Sequence, residues 1–241
     1  MIARREGSTA VRPLRIAVPK GALFDESVDA LAAAGLDVGE LARPGRQLTV
    51  RSADAEYVIG KPTDIPAYVA YGGVDCAIAG KDVLLESALD VVELADLGFG
   101  ACRFVVAEPE GADAEVSEHY VHLGVIRVAT KYPRITEEYF AEQGVQVEVV
   151  KLNGNIEIAP LIGLADRIVD ITATGTTLRE NRLRIVDEVL DSTARFIANP
   201  VSLRLDAERI TDLAERLARR GRMEDAGVAR SGEVVEGLER P

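Results

Sequence analysis

Residues 167–183, RIVDITATGTTLRENRL, hold the residue types and spacing best suited to chemistry. An apolar strand, RIVDI, ends at small hydroxylated residues around one glycine, and a helical turn begins at Thr176 or Thr177. That arrangement suits a phosphate monoester. Gly175 lets the backbone approach closely and turn, while Thr174, Thr176 and Thr177 place hydroxyls beside the free N–H groups of a helix start. Asp170 falls at the carboxyl end of the strand, where open α/β sheets place ligands. A carboxylate a few residues from a phosphate cradle suits the vicinal hydroxyls of a ribose 5-phosphate. The same stretch also fits a plain threonine-rich turn with Asp170 as a cap, and spacing alone does not choose between them.

The elements that must position these residues alternate along the chain. LRIAV (14–18) reads as a strand and LFDESVDALAAAG (23–35) as a helix ended by glycine. AEYVI (55–59) is a strand, DIPAYVAYGG (64–73) a helix opened by Asp64, and DCAIAG (75–80) a strand into a turn. VVELADLG (91–98) and CRFVVAE (102–108) read as extended, and PEGADAEVSEHY then turns polar and acidic, like a connection between lobes. The alternation restarts with IRVAT (126–130), a helix over about 133–143, VQVEVV (145–150), a helix over 157–164 and RIVDIT (167–172). Strands alternating with helices imply parallel sheets with covered faces. RLRIVDEVLDSTARFIAN (182–199) reads as one strand returning the chain to the first lobe, with a helix over 206–219 packed there. The expectation is an α/β fold of two lobes: 14–107 with 183–222, and 108–182 carrying the phosphate loop. Residues 1–13 and 223–241 are expected to be flexible ends.

The bulk composition narrows the class. The chain has 241 residues, a net charge of −12 and 5% aromatics without tryptophan, which disfavours nucleic acid and anionic membrane surfaces as partners. Local backbone N–H groups and a few cations still suffice for a small anion. No apolar run approaches the roughly 20 residues of a membrane span, and the N-terminus has no secretory pattern. Two cysteines, Cys76 and Cys102, lie in apolar segments and read as reduced thiols. A cytoplasmic location is expected.

The stretch from Glu157 to Leu178 resembles the signature of the ATP phosphoribosyltransferases. Glu157, Gly163, Ala165, Ile168, Asp170, Ile171, Thr174, Gly175, Thr177 and Leu178 fall in its register without a gap. RIAVPKGAL (15–23), DIPAYVAYGGVDCAIAGKDVLLE (64–86) and ARFIANP (194–200) also resemble family segments in family order, so the similarity covers about residues 14 to 204. The resemblance implies the hinged, two-lobed fold of type II periplasmic binding proteins, with mostly parallel sheets. It also implies transfer of phosphoribosyl from phosphoribosyl pyrophosphate to N1 of ATP, the first step of histidine biosynthesis. Mg²⁺ is implied on the pyrophosphate oxygens and water, with no dedicated metal cage. Under that reading Thr174–Thr177 hold the 5-phosphate, Asp170 and Glu157 hold the ribose hydroxyls, and Asp170 and Lys20 are the catalytic groups. Adenine N1 has its own lone pair and needs no strong base, so His119 and His122, both in the polar connection, are expected to be solvated.

The first lobe is then expected to supply cations. Lys20 and Gly21 lie between strand and helix, a natural place for pyrophosphate oxygens, and Lys81 in GKD (80–82) repeats that arrangement. Asp64 is either a ligand or a plain N-cap. Two positions depart from the family pattern: Ala22 and Lys61 stand where arginine is usual, and lysine keeps charge without the bidentate fork. Arg43, Arg46 and Arg51 are candidates to compensate. Two rivals remain: a non-catalytic solute-binding protein, whose fold is shared, and a phosphoribosyltransferase for another base. Enzymes of the second kind often carry two adjacent acids before the Thr-Gly loop, whereas Asp170 is followed by Ile171. The short charged stretch after the family-like core resembles the short form of the family. That form implies a homodimer joined to a regulatory subunit similar to histidyl-tRNA synthetase.

Overall fold

The run LRIAVP becomes β1 (Leu14–Pro19), buried at every position but Arg15, as a strand covered on both faces must be. The computed structural model describes residues 12–112, 116, 120–122 and 124–232, with side chains through Arg219. After β1 come α1 (Phe24–Ala33), β2 (Thr49–Arg51), β3 (Ala55–Gly60), α2 (Ile65–Ala70), β4 (Cys76–Gly80) and α3 (Lys81–Ser87). Then follow β5 (Val92–Asp96), β6 (Cys102–Pro109), β7 (Ile126–Thr130), α4 (Pro133–Glu142), β8 (Val147–Lys151) and α5 (Ile158–Leu161). The chain closes with β9 (Arg167–Thr172), α6 (Thr176–Glu180), β10 (Leu183–Ser192), β11 (Ala194–Ala198), α7 (Pro200–Leu205) and α8 (Ala207–Gly232). No described helix is long and apolar enough to cross a membrane.

Two units result. Among the described residues, the first takes 12–79, 90–95 and 196–232; the second takes 80–89 and 96–195. The first unit is built on a sheet of order β2-β3-β1-β4-β11-β5, with β3 and β4 parallel to β1 and β2 antiparallel at the edge. The second unit's sheet has the order β10-β6-β9-β7-β8, in which β9, β7 and β8 run parallel while β6 opposes both β9 and β10. Mostly parallel was therefore too simple for the second sheet.

The unit boundaries also differ from the sequence expectation. β6 and β10 were assigned to the first lobe but belong to the second sheet, and 182–199 is not one strand. It breaks at Thr193, for a reason visible in burial. β10 is mostly half-buried or exposed and suits a sheet edge, whereas β11 is buried at all positions but Arg195 and suits a sheet interior. The last helix extends past 219 to Gly232. Residues 1–11 and 233–241, expected to be flexible, lie outside the described residues. Arg12 is anchored rather than loose.

Alternation along β6 builds two cores in the second unit. Val105 and Ala107 pack with Ala129, Ile168, Ala159 of α5 and Leu178 of α6. Phe104 and Val106 face the other way, with Val128, Val169, Ile135 and Phe140. Asp170 shares parity with Ile168, so it falls on the face covered by α5 and α6.

Buried carboxylates fasten strand ends in both units. Asp75, 1% exposed, accepts from Arg12 Nη2 (2.7 Å), the Arg15 N–H (2.9 Å) and Ser202 Oγ (2.8 Å). Burial pushes its pKa up, but those hydrogen bonds outweigh burial and leave it below the ordinary 3.8. A carboxyl with a lowered folded pKa contributes stability that is present above about pH 4 and lost as the pH falls through the folded value. Asp75→Ala should therefore cost about 3 kcal/mol at pH 7. Urea unfolding at pH 7 and again near pH 3 checks this: the gap between wild type and variant should narrow in acid.

Candidate active site

The second unit assembles the phosphate-loop residues. β9 carries Asp170 between β6 and β7, and the chain leaves its end through Thr172 into the loop. Gly175 adopts φ +70°, the left-handed region, and its N–H donates to Thr172 Oγ1 at 2.7 Å. The hydroxyls of Thr174 and Thr176 lie 3.0 Å apart, and Leu178, 5% exposed, pins α6 to the core behind them. Thr174, Thr176 and Thr177 are exposed. Arg179 folds back over the loop: Nη1 donates to the Thr174 carbonyl (3.1 Å) and Nη2 to Thr176 Oγ1 (3.2 Å).

Asp170 is 7% exposed. One carboxylate oxygen accepts the Ile171 N–H at 2.9 Å, and the other lies 3.8 Å from Lys131 Nζ. Burial pushes its pKa up; Lys131 and the Ile171 N–H pull it back, and the charge of Glu157 pushes it up again. Glu157 is half-buried just before α5, near enough for its charge to act on Asp170. Lys131, Thr172 and Arg179 were missed in the sequence. Lys131 follows a strand paired with β9 only in three dimensions, and had no local signal. Arg179 had one, because Thr176 and Arg179 are three apart on a helix and so face each other.

The first-lobe candidates separate. Lys20 and Gly21 line a cavity of about 310 Å³ together with Phe24, Arg46 and Ile59. Gly21 has φ +88° and open space where a Cβ would stand. Of the three arginines offered as compensation, Arg46 alone lines this cavity, while Arg51 pairs with Glu56 at 3.3 Å. Lys61 and Asp64 flank the 3₁₀ turn Pro62–Asp64 and are not among its lining residues. Asp64 makes no capping hydrogen bond; among the described residues its carboxylate accepts from Thr63 Oγ1, at 3.3 Å. Lys81 belongs to the second unit, not the first, because it opens α3. There the Asp82 carboxylate accepts from Ser192 Oγ, and a Cβ on Gly80 would lie 2.1 Å from that carboxylate, so a side chain at this position would displace Asp82. His122 is exposed, and His119 lies outside the described residues.

The profile of one family, ATP phosphoribosyltransferase, matches residues 61–219. The chain belongs to the ATP phosphoribosyltransferase family. An ATP phosphoribosyltransferase of Rubrobacter xylanophilus is 50% identical over 212 residues, covering 88% of this chain and 98% of that relative. Another, from Desulfitobacterium hafniense, is 49% identical over 210 residues, covering 85% and 94%. Among solved structures, the ATP phosphoribosyl transferase (HisG:HisZ) complex from Thermotoga maritima matches with TM-score 0.74 and 32% identity, over 87% of this chain and 99% of that one. The periplasmic aliphatic sulphonate binding protein SsuA of Escherichia coli matches with TM-score 0.56 at 12% identity, over 91% and 76%. The second likeness shows the fold alone, the two-lobed type II periplasmic-binding-protein class, and gives no support to a solute-binding role. As an ATP phosphoribosyltransferase, the chain is a transferase that moves phosphoribosyl from phosphoribosyl pyrophosphate to N1 of ATP, the first step of histidine biosynthesis.

The Lys131–Asp170 contact has a measurable consequence. Lys131, Glu157 and the Ile171 N–H are the groups acting on Asp170, and removing Lys131 leaves a buried carboxylate with the Ile171 N–H but no cation to offset the charge of Glu157. Lys131→Gln should then raise the Asp170 pKa further and move the acid limb of the kcat/KM profile to higher pH. Lys131→Arg should hold it in place. An acid limb that does not move in Lys131→Gln would show that the contact does not govern ionisation.

Proposed function

We propose that the second unit binds the phosphoribosyl group and that catalysis is positioning plus electrostatic stabilisation, with no general base. The loop of Thr174, Gly175, Thr176 and Thr177 takes the 5-phosphate, and Asp170 with Glu157 takes the ribose hydroxyls. The observation that carries this is the buried Asp170 carboxylate beside an exposed hydroxyl-lined loop. As the C–O bond to pyrophosphate breaks, its electrons leave on the pyrophosphate and C1 gains oxocarbenium character. The ionised Asp170 carboxylate opposes that positive charge, and the lone pair of adenine N1 makes the new bond. Mg²⁺, bound with phosphoribosyl pyrophosphate as part of the substrate, supplies positive charge to the departing pyrophosphate. Lys20, Gly21 and Arg46 around the first unit's cavity take the polyphosphate side, with Arg46 providing the fork that Ala22 and Lys61 lack. Lys61, Asp64 and Lys81 remain secondary candidates for that side.

The protein acts in the cytoplasm as a homodimer, together with a regulatory subunit of the kind found in the HisG:HisZ complex of Thermotoga maritima. The sequence reading makes that subunit similar to histidyl-tRNA synthetase. Neither nucleic acid nor membrane is a partner, in keeping with a net charge of −12.

Mixing the protein with ATP, Mg²⁺ and phosphoribosyl pyrophosphate should produce the ultraviolet absorbance of the N1 adduct. Gly175→Val should abolish phosphoribosyl pyrophosphate binding, since a β-branched residue is strained at φ +70° and its Cβ would meet Arg179 at 3.3 Å. Circular dichroism should show the fold retained; tight binding by that variant would put the cradle elsewhere. Asp170→Asn should lower kcat by about 10²-fold. For the regulatory partner, histidine titrated against the isolated chain during turnover should not inhibit. Strong inhibition that competes with neither substrate would remove the need for a separate regulatory subunit.

A further inference from the structure

We propose that Arg179 is a direct ligand of the 5-phosphate, its guanidinium supplying the cation of the loop; this rests on the loop being the 5-phosphate cradle. The loop's backbone supply is smaller than its sequence suggests. The Gly175 N–H is already spent on Thr172 Oγ1 at 2.7 Å, and the Thr176 N–H leans on Thr174 Oγ1 at 3.4 Å. What remains at the tip is a set of neutral donors, the hydroxyls and the later N–H groups of the helix start, and a phosphate dianion held by these alone forgoes the ion pair that an arginine fork adds.

Arg179 stands where that deficit would be met. Its two hydrogen bonds, to the Thr174 carbonyl and Thr176 Oγ1, lay the guanidinium over Gly175. The point a Gly175 Cβ would occupy is 3.3 Å from Nη1, so glycine at this position makes room for the guanidinium as well as for the turn. Two of the five N–H groups of the fork are used in this way. Arg179 forms no ion pair among the described residues, unlike Arg127, Arg167 and Arg184, which are paired with Asp166 and Glu108. The remaining N–H groups are therefore available for two phosphate oxygens, in the planar geometry that suits an arginine and not a lysine. The existing bonds also fix the side chain beforehand, so little rotamer freedom is lost when the ligand arrives.

The test compares Arg179→Gln and Arg179→Lys in the full chain, using ribose 5-phosphate and pyrophosphate as separate inhibitors against phosphoribosyl pyrophosphate. Arg179 is exposed, and unchanged thermal unfolding should confirm that each variant folds. In Arg179→Gln, the inhibition constant of ribose 5-phosphate and the KM for phosphoribosyl pyrophosphate should rise together by about 10- to 100-fold. Pyrophosphate inhibition and the KM for ATP should stay within about twofold. Arg179→Lys should recover only part of the loss. An unmoved ribose 5-phosphate constant, or an equal rise for pyrophosphate, overturns the assignment. Gly175→Val separates the two levels of the argument. If it still binds ribose 5-phosphate, the cradle reading fails; if it blocks binding while Arg179→Gln binds normally, only Arg179 is misassigned.

Discussion

A carboxylate that is almost fully buried with few partners is the constraint around which the second unit is arranged. Asp170 loses most of its water on β9, and that burial disfavours its ionised form. The sheet answers with register. Ala129 and Thr130 of β7 lie beside Ile168 and Val169 of β9, so the next residue along, Lys131, comes level with Asp170. Side chains level on parallel neighbours share a face, which brings the ammonium to 3.8 Å from the carboxylate. Lys131 is two-fifths exposed, so the compensation is partial and the pKa stays raised.

The other end of the same sheet shows what a satisfied carboxylate looks like. Glu108, fully buried, accepts from Arg167 at 2.8 Å and Arg184 at 2.5 Å, tying β6, β9 and β10 together. Asp166 accepts the Arg127 N–H and its guanidinium, tying the start of β9 to β7. Those acids hold bidentate or doubled arginine contacts and serve the fold. Asp170, toward the carboxyl end of β9, has one lysine and one backbone N–H. The unit thus spends its good ion pairs at the amino end of β9 and leaves its opposite end short of partners, where ligands of open α/β sheets bind.

Much of this was legible in the sequence because the signals are local. RIVDI followed by TATGTTL encodes a strand, a left-handed glycine and a helix start within a dozen residues, and the structure forms each of them. The assignment of strands to sheets was not legible. CRFVVAEP and LRIVDEVLDS look like strands whichever sheet they join, and their pairing spans some eighty residues of chain. No local preference encodes a partner so distant, so β6 and β10 were placed in the wrong lobe. Lys131 was missed for the same reason. Arg46 was named without rank, since only the folded chain puts it on the same cavity as Lys20.

The overall charge sets a last requirement. Both substrates are polyanions, and a chain of net charge −12 repels them at long range. Recognition must therefore come from contacts inside a Debye length, where a few cations outweigh a distant field. Arginines alone do not suffice for that, because many are consumed: Arg12 by Asp75, Arg127 by Asp166, and Arg167 and Arg184 by Glu108. The cations at the two candidate anion sites are of another kind. Lys20 and Arg46 around the first unit's cavity, and Arg179 over the phosphate loop, make no ion pair among the described residues. In an acidic chain, a cation that has no carboxylate partner among the described residues keeps its charge available to a nearby anion.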